Sequence, residues 1–446
     1  MPTEKPSVLP VAASAERSRP HPQPCITPEP GIKAQSGGNV VRLATLGLTS
    51  FATGLSQIPP LLGLSEPSST GDLATPFYEV VHTALPLSLG AIFAAAFIDP
   101  FLRHSRTCPS YTLLLVPASF LTGAGHAMLL LLPMFPLPRD LSTALIAAAH
   151  LLVGVGNTVN FTTAMLLSRG STPALGFISG MVAMGIVTQT CTGLLLGAGT
   201  RRLVAMFLAL ANGCFMLFAS RAGGWMAAGG SEDEEAVDEK MLFRVKGGQG
   251  GFPPPPSRLT VLGALFAFAH QAAMVVIPVW LVSLTGRQLG GSAGQVSLVY
   301  AMFTFCAGLG VGSLTLIPPI EQRKQLVFSA LLVSVGLLLL AWLLGDAFDA
   351  AAAAAPVGFF MASAYPWIVA LLMHEMSEQE RLSGVAIVVA FGTSGAVTAL
   401  SITQMAAHLE SPAVLHLAVM GLFGGMLMCW NAMSDAKTRY DLMELN

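Results

Sequence analysis

Residues 259–284 read LTVLGALFAFAHQAAMVVIPVWLVSL, with no Asp, Glu, Lys or Arg at any position. Coiled into an α-helix, a segment of this length rises about 39 Å, which exceeds the roughly 30 Å hydrocarbon layer of a bilayer. A helix is the required form, because lipid offers no partner to backbone N–H and C=O groups and the chain must satisfy them itself. Comparable apolar stretches precede it at 43–63, 77–98, 111–134, 141–168, 173–198 and 202–220. Others follow at 295–318, 325–345, 351–373, 383–406 and 412–433. The expected fold is therefore all-α and polytopic, with about twelve spans.

The rest of the composition agrees. Hydrophobic residues make up 53% of the 446 and charged residues only 10%, with a mean hydropathy of +0.67. A soluble domain averages roughly 25% charged residues, so much of this surface must face lipid. A net charge of −2 offers no concentrated basic face for nucleic acid. The six cysteines (Cys25, Cys108, Cys191, Cys214, Cys306 and Cys429) are scattered and form no CxxC or His-paired pattern. Neither a disulfide framework nor a metal site is expected, and no cofactor is implied.

Polar stretches divide the chain. Residues 1–38 hold eight prolines and no apolar core, as expected of a disordered cytosolic tail rather than a signal peptide. Six spans (39–220) and six more (259–434) flank a polar loop, 221–258, and residues 435–446 form a short tail. The loop carries the acidic run 231–235, the bases Lys240, Arg244 and Lys246, and four prolines at 253–256. With the N-terminus in the cytosol, eighteen of the 22 Lys and Arg fall on cytosolic segments, the side that positive residues favour. Arg201 and Arg202 are the misfit. Two six-helix groups joined by a long cytosolic loop have the layout of the major facilitator fold, in which two halves rock about a midplane site.

Several residues suit close helix approach or bending. Gly176/Gly180, Gly308/Gly312 and Gly421/Gly425 are each four apart, the spacing of a small-residue contact face. Pro86, Pro117, Pro278 and Pro366 fall within the apolar stretches.

Ionisable groups at membrane depth are costly and mark pathways. Here they are few: Glu79, His82, His126, His150, His270 and His416. His150, Gly154 and Asn157 lie within about 60° of one another on a helix, and Asn160 extends that stripe. It suits a polar solute or a proton-linked water file, and equally suits hydrogen bonding between helices. Glu79 and His82, three apart, could form a proton sensor or a structural pair. His270 and Gln271 fall at mid-depth in the seventh span, where His270 is the expected titrating group. His126 and His416 are expected to be packed or water-facing. HExxH, paired intramembrane aspartates and a nucleotide cradle are all absent from the sequence, so an enzyme is not expected.

Residues 358–395 are more specific. Gly358-Phe-Phe-Met-Ala-Ser-Ala-Tyr365 is followed by Glu375, Ser377 and Arg381, and then by a Gly- and Ser-bearing helix through Gly395. This pattern resembles the battenin family, with the spacing of Tyr365, Glu375 and Arg381 matching without a gap. Leu85-Pro86, Gly154-Val-Gly156 and Phe268-Ala269 fall at corresponding places. Asp238, Leu242 and Phe243 look like an acidic dileucine sorting signal with its last position changed, in the loop where battenins carry one. The chain departs from the family at Asn157 and His270, where battenins usually carry acids, and near Gly312-Ser313, where it lacks their Arg.

The resemblance implies a facilitator-like protein of the lysosomal or vacuolar membrane. It further implies a role in luminal pH balance and export of small polar or zwitterionic solutes such as amino acids or glycerophosphodiesters. Tyr365 joins Glu79, His82, His150, Asn157, Asn160, His270 and Gln271 as expected lining of a solute and proton path. The lipid bilayer, the solute and protons are the expected partners, with trafficking adaptors at 221–258. Two rival expectations are a non-transporting organiser of organelle trafficking and a facilitator of another family.

Overall fold

The computed structural model describes residues 36–56, 83–104, 111–168, 172–221, 256–285, 293–313, 320–344, 346–376, 378–408 and 412–444. Eleven α-helices are assigned among them. They are α1 (Ser36–Ser56), α2 (Leu85–His104), α3 (Tyr111–Leu131), α4 (Arg139–Leu167), α5 (Thr172–Arg221) and α6 (Arg258–Ser283). The remainder are α7 (Ala293–Gly312), α8 (Ile320–Leu343), α9 (Ala347–Glu375), α10 (Glu378–His408) and α11 (Pro412–Glu444). Among the described residues, seven helices are long and apolar enough to cross a membrane. Leu85–Ile98, Arg202–Phe218 and Ala301–Val311 are shorter apolar pieces. Large side chains such as Phe207, Phe218, Phe305, Leu417 and Met428 are exposed, which in a bilayer means facing lipid.

Helix α5 is not straight. Gly47 of α1 lies against the Phe177 ring, while Thr49, two residues on, hydrogen-bonds to Asn212. A straight helix would hold positions 177 and 212 about 52 Å apart. The chain therefore doubles back within α5, making two antiparallel limbs. Arg202, in the second limb, donates to the Leu129 carbonyl in the last turn of α3 (3.3 Å). A cation at a helix C-terminus is favourable, and this contact gives one of the two misfit arginines a local partner.

The packing repeats between the two halves. Helix α2 packs on α4 as α7 packs on α9, and α3 packs on α4 as α8 packs on α9. Helix α1 packs on α5 as α6 packs on α10 and α11. Glycines make the closest approaches and repeat in the same way. A Cβ at Gly90 would overlap the Leu151 carbonyl oxygen, and one at Gly154 would overlap that of Leu87, joining α2 and α4 reciprocally. Gly310 and Gly358 do the same for α7 and α9 against Phe359 and Phe303. Gly54 against Val182, Gly395 against Phe268, and Gly125 and Gly156 against Ala149 and Ala118 make similar approaches.

These are not the glycines that the four-residue spacing singled out. Nothing lies within 4 Å of a Cβ at Gly308, Gly421 or Gly425, and Gly180 meets only the Val311 side chain. Spacing finds a small-residue face but not whether a neighbour covers it. Pro86 is the second residue of α2, just after a π-helical turn at 83–84, and Pro117, Pro278 and Pro366 lie inside helices.

Between the halves, α2 packs on α10 and α5 on α7, two contacts that exchange under the same repeat. Ala91, Ala95 and Ile98 of α2 cluster with Ala386 and Ala390 of α10. Helix α4 is buried on every face from Asn160 through Leu166, and α9 is likewise buried from Met361 through Pro366. The contacts between the halves thus surround the C-terminal part of α4 and the middle of α9.

At the start of α6, Ser257 caps the Thr260 N–H (3.2 Å), and one Glu380 oxygen accepts from Ser257 N–H (2.9 Å) and Thr260 Oγ1 (2.6 Å). This carboxylate sits at a helix N-terminus, where its charge is favourable, and it clasps α10 to α6. Glu380→Ala is expected to cost about 1–2 kcal/mol, read as a lower unfolding temperature of the detergent-solubilised protein. An unchanged unfolding temperature would remove the clasp.

Candidate functional site

The two halves meet at an aromatic column. Phe161 of α4 stacks on Tyr365 of α9, with centroids 6.2 Å apart and planes 14° from parallel. Tyr365 lies 5.7 Å from the His270 ring of α6, which stacks on Phe266 at 6.2 Å, and Phe266 reaches Trp430 of α11 at 6.0 Å. Phe266 and His270 are one helical turn apart, so α6 presents both rings to one side. Gly392 of α10 brings the column close to that helix: a Cβ there would meet Gln271 Cγ at 3.3 Å and Tyr365 Cε2 at 3.7 Å. The site thus draws on α4 from one half and on α6, α9 and α10 from the other.

His270 is buried. Its Nε2 lies 2.7 Å from the Met361 carbonyl oxygen, which only an N–H can satisfy, so Nε2 carries the proton. In the neutral ring Nδ1 is then an acceptor, and it is buried with no hydrogen-bond partner. The Tyr365 ring lies beside this imidazole.

On the other side of Phe161, Asn157 and Asn160 are buried within their own half. Asn157 Oδ1 accepts from Thr122 Oγ1 and Asn160 Oδ1 from Ser119 Oγ, both at 3.4 Å. Ser119 also accepts from Asn212 Nδ2 (2.9 Å), and Asn212 Oδ1 accepts from Thr49 Oγ1 (3.3 Å). One chain of polar contacts therefore links α1, the second limb of α5, α3 and α4. Hydrogen bonds between helices in lipid average about 0.6 kcal/mol each. Stranding a buried partner costs roughly 1–3 kcal/mol. The hydroxyls of Ser50, Thr158 and Thr162, also in this half, are buried without a partner.

The expected residues divide accordingly. His270, Gln271 and Tyr365 come together, whereas Asn157 and Asn160 bond to α3 within their own half. His150 stays apart: its Nδ1 bonds to the Ile146 carbonyl of its own helix (2.9 Å). Gly154, on the same stripe, is covered by α2. Glu375 ends α9 and Arg381 begins α10, about 15 Å along the helix from Tyr365 for the former. Arg381 Nε is buried without a partner. Glu79, His82, Ser377, Asp238, Leu242 and Phe243 lie outside the described residues. His416 is packed between Trp342 (4.3 Å) and Trp280 (5.2 Å). Among the described residues, no three His, Cys, Asp or Glu side chains are placed to hold a metal.

Four contributors had not been singled out: Phe161, Asn212, Ser119 and Glu380. Phe161 carries no local signal that separates it from other apolar residues. Asn212 could have been found as the lone amide in its limb, and Thr45, Thr49 and Thr53 as a row of hydroxyls four apart in α1.

No protein-family profile and no curated protein sequence matches the chain. Solved structures do. The chain is similar to FucP, a major facilitator superfamily transporter in the outward conformation, at 13% identity and a TM-score of 0.60, over 90% of this chain and 99% of that one. A bacterial homologue of the iron transporter ferroportin, in its outward-facing state, gives 12% and 0.64 over 89% and 98%. The human organic anion transporter MFSD10 gives 15% and 0.61 over 90% and 100%. The protein is a multi-pass membrane protein with the major facilitator fold. At these identities the likeness is one of fold.

Proposed function

We propose that the chain is an alternating-access transporter of a small polar or zwitterionic solute, of the amino acid or glycerophosphodiester type, with His270 as its proton-titrating group. The observation that carries this reading is the Phe161–Tyr365 stack, which joins the two halves beside the unpartnered His270 Nδ1. Rocking the halves apart must break that stack, so the solute site and the moving contact share residues. The battenin resemblance at 358–395 extends the proposal to an endolysosomal or vacuolar membrane, with both termini and the 221–258 loop in the cytosol and a role in luminal pH balance.

Liposomes containing the purified protein, under an imposed pH gradient, test this. Uptake of at least one small polar solute is expected to exceed that of protein-free vesicles. Phe161→Ala is expected to lower the rate about two- to tenfold, from the roughly 0.5–1.5 kcal/mol of an aromatic pair. His270→Gln is expected to flatten the dependence on pH. If no solute moves faster than in empty vesicles, the proposal fails. The rival organiser role predicts that deleting 221–258 abolishes the cellular phenotype, whereas a transporter keeps its uptake in vesicles. A tagged copy imaged beside an acidic-compartment dye tests the location.

A further inference from the structure

Resting on the alternating-access transport in that reading, and departing from its zwitterionic solute class, we infer that the solute is uncharged: a polyhydroxylated ring compound such as a monosaccharide or cyclitol, bound by hydroxyl groups and by an aromatic face. Three observations lead there.

The first is charge. The helices that form the site carry no Asp, Glu, Lys or Arg over 141–167, 259–283, 350–373 and 382–408. Removing a charged group from water is costly unless the site supplies a countercharge. A zwitterion needs one of each sign. Apart from His270, which supplies a positive charge only when protonated, the residues around Phe161 and Tyr365 supply neither, and no acid is there to pair an ammonium group.

The second is the inventory of available polar groups. His270 Nδ1 is a buried acceptor without a donor. Asn157 and Asn160 spend their oxygens on Thr122 and Ser119. Ser50 of α1 and Thr158 and Thr162 of α4 are buried hydroxyls without partners, each able to donate or accept. Thr158 and Thr162 are one turn apart on α4, next to Asn157 and Phe161. Buried polar atoms in folded proteins are nearly always satisfied. A solute that is itself rich in hydroxyls can pair with donors and acceptors alike.

The third is shape. Phe161 and Tyr365 offer aromatic faces at the junction of the halves. The C–H face of a sugar or cyclitol ring is apolar and flat enough to lie on such a face, while its hydroxyl rim points to the hydroxyls around it.

The test uses full-length protein in liposomes and in detergent, with a fixed panel. The neutral members are D-glucose, D-galactose, D-xylose and myo-inositol. The charged counterparts are D-glucosamine and D-glucuronate, and the zwitterions are lysine and glycerophosphocholine. Thermal shift reads binding and counterflow reads transport. At least one neutral ring compound is expected to raise the unfolding temperature and to exchange, with its charged counterpart at least about tenfold weaker. Tyr365→Leu is expected to weaken that binding about tenfold, the equivalent of 1.4 kcal/mol. Tyr365→Phe, which keeps the ring, is expected to recover most of it. Exchange of lysine, glycerophosphocholine or a charged sugar in preference to every neutral member overturns the uncharged class and leaves transport standing. Failure of the whole panel to bind or move overturns both.

Discussion

Gly395→Ala is expected to destabilise the protein by about 3 kcal/mol, the upper part of the range for overpacking a tight interior. The added Cβ would overlap the Phe268 carbonyl oxygen of α6, and backbone cannot rotate out of the way as a side-chain tip can. Helices α6 and α10 must separate, and with them the wall of the site that holds His270, Gln271 and Gly392. Alanine's better helix propensity, about 1 kcal/mol, offsets only part of this. Gly425→Ala is the internal control. Nothing lies within 4 Å of its Cβ, so the propensity gain stands alone and stability should rise by up to about 1 kcal/mol. Thermal unfolding of the two variants in detergent, beside the parent, checks the contrast. Equal effects at the two positions would mean that α6 and α10 are not in contact there.

Asn212→Leu should rank next, at about 2–3 kcal/mol. Leucine fills a similar volume, so the loss comes from polar pairing rather than from a cavity. It removes two buried bonds, to Thr49 and Ser119 at 0% and 1% exposure, worth about 1 kcal/mol each, while Thr49 keeps its bond to the Thr45 carbonyl and Ser119 its contact with Asn160. Because Ser119 also holds Asn160, the change should couple to Ser119→Ala. The double variant is expected to be less destabilised than the sum of the two singles. Strict additivity would show that the Thr49–Asn212–Ser119–Asn160 chain does not act as a unit.

Both predictions concern residues whose partners are far away in the chain, and this marks how much of the site could be read from sequence. His270 and Gln271 were legible because a polar pair in an uncharged 26-residue stretch is conspicuous. Tyr365 stood out through its place in a recognisable pattern. Asn157 and Asn160 were legible as polar residues on one helix, but their partners Thr122 and Ser119 were not. The glycine pairs show the converse error. Four-residue spacing pointed to Gly180, which meets Val311 of α7, but also to Gly308 and Gly421/Gly425, which have nothing within 4 Å, and passed over Gly90, Gly154, Gly358 and Gly395, which meet backbone. Whether a small residue is a contact depends on what another helix places against it.

By itself the sequence determined the solvent and the secondary structure. Long uncharged apolar runs are stable only in lipid, and in lipid the backbone can satisfy itself only as helices or closed barrels. The expected six-plus-six layout came from where charges interrupt those runs. Tertiary structure alone decided that α5 doubles back, that α2–α4 and α7–α9 repeat the same glycine contacts, and that Phe161 crosses from one half to stack on Tyr365 of the other. The physical reason is range. Hydropathy and helical period act over neighbouring residues, whereas ring stacking and carbonyl–glycine approach are set by helix positions that no local stretch encodes.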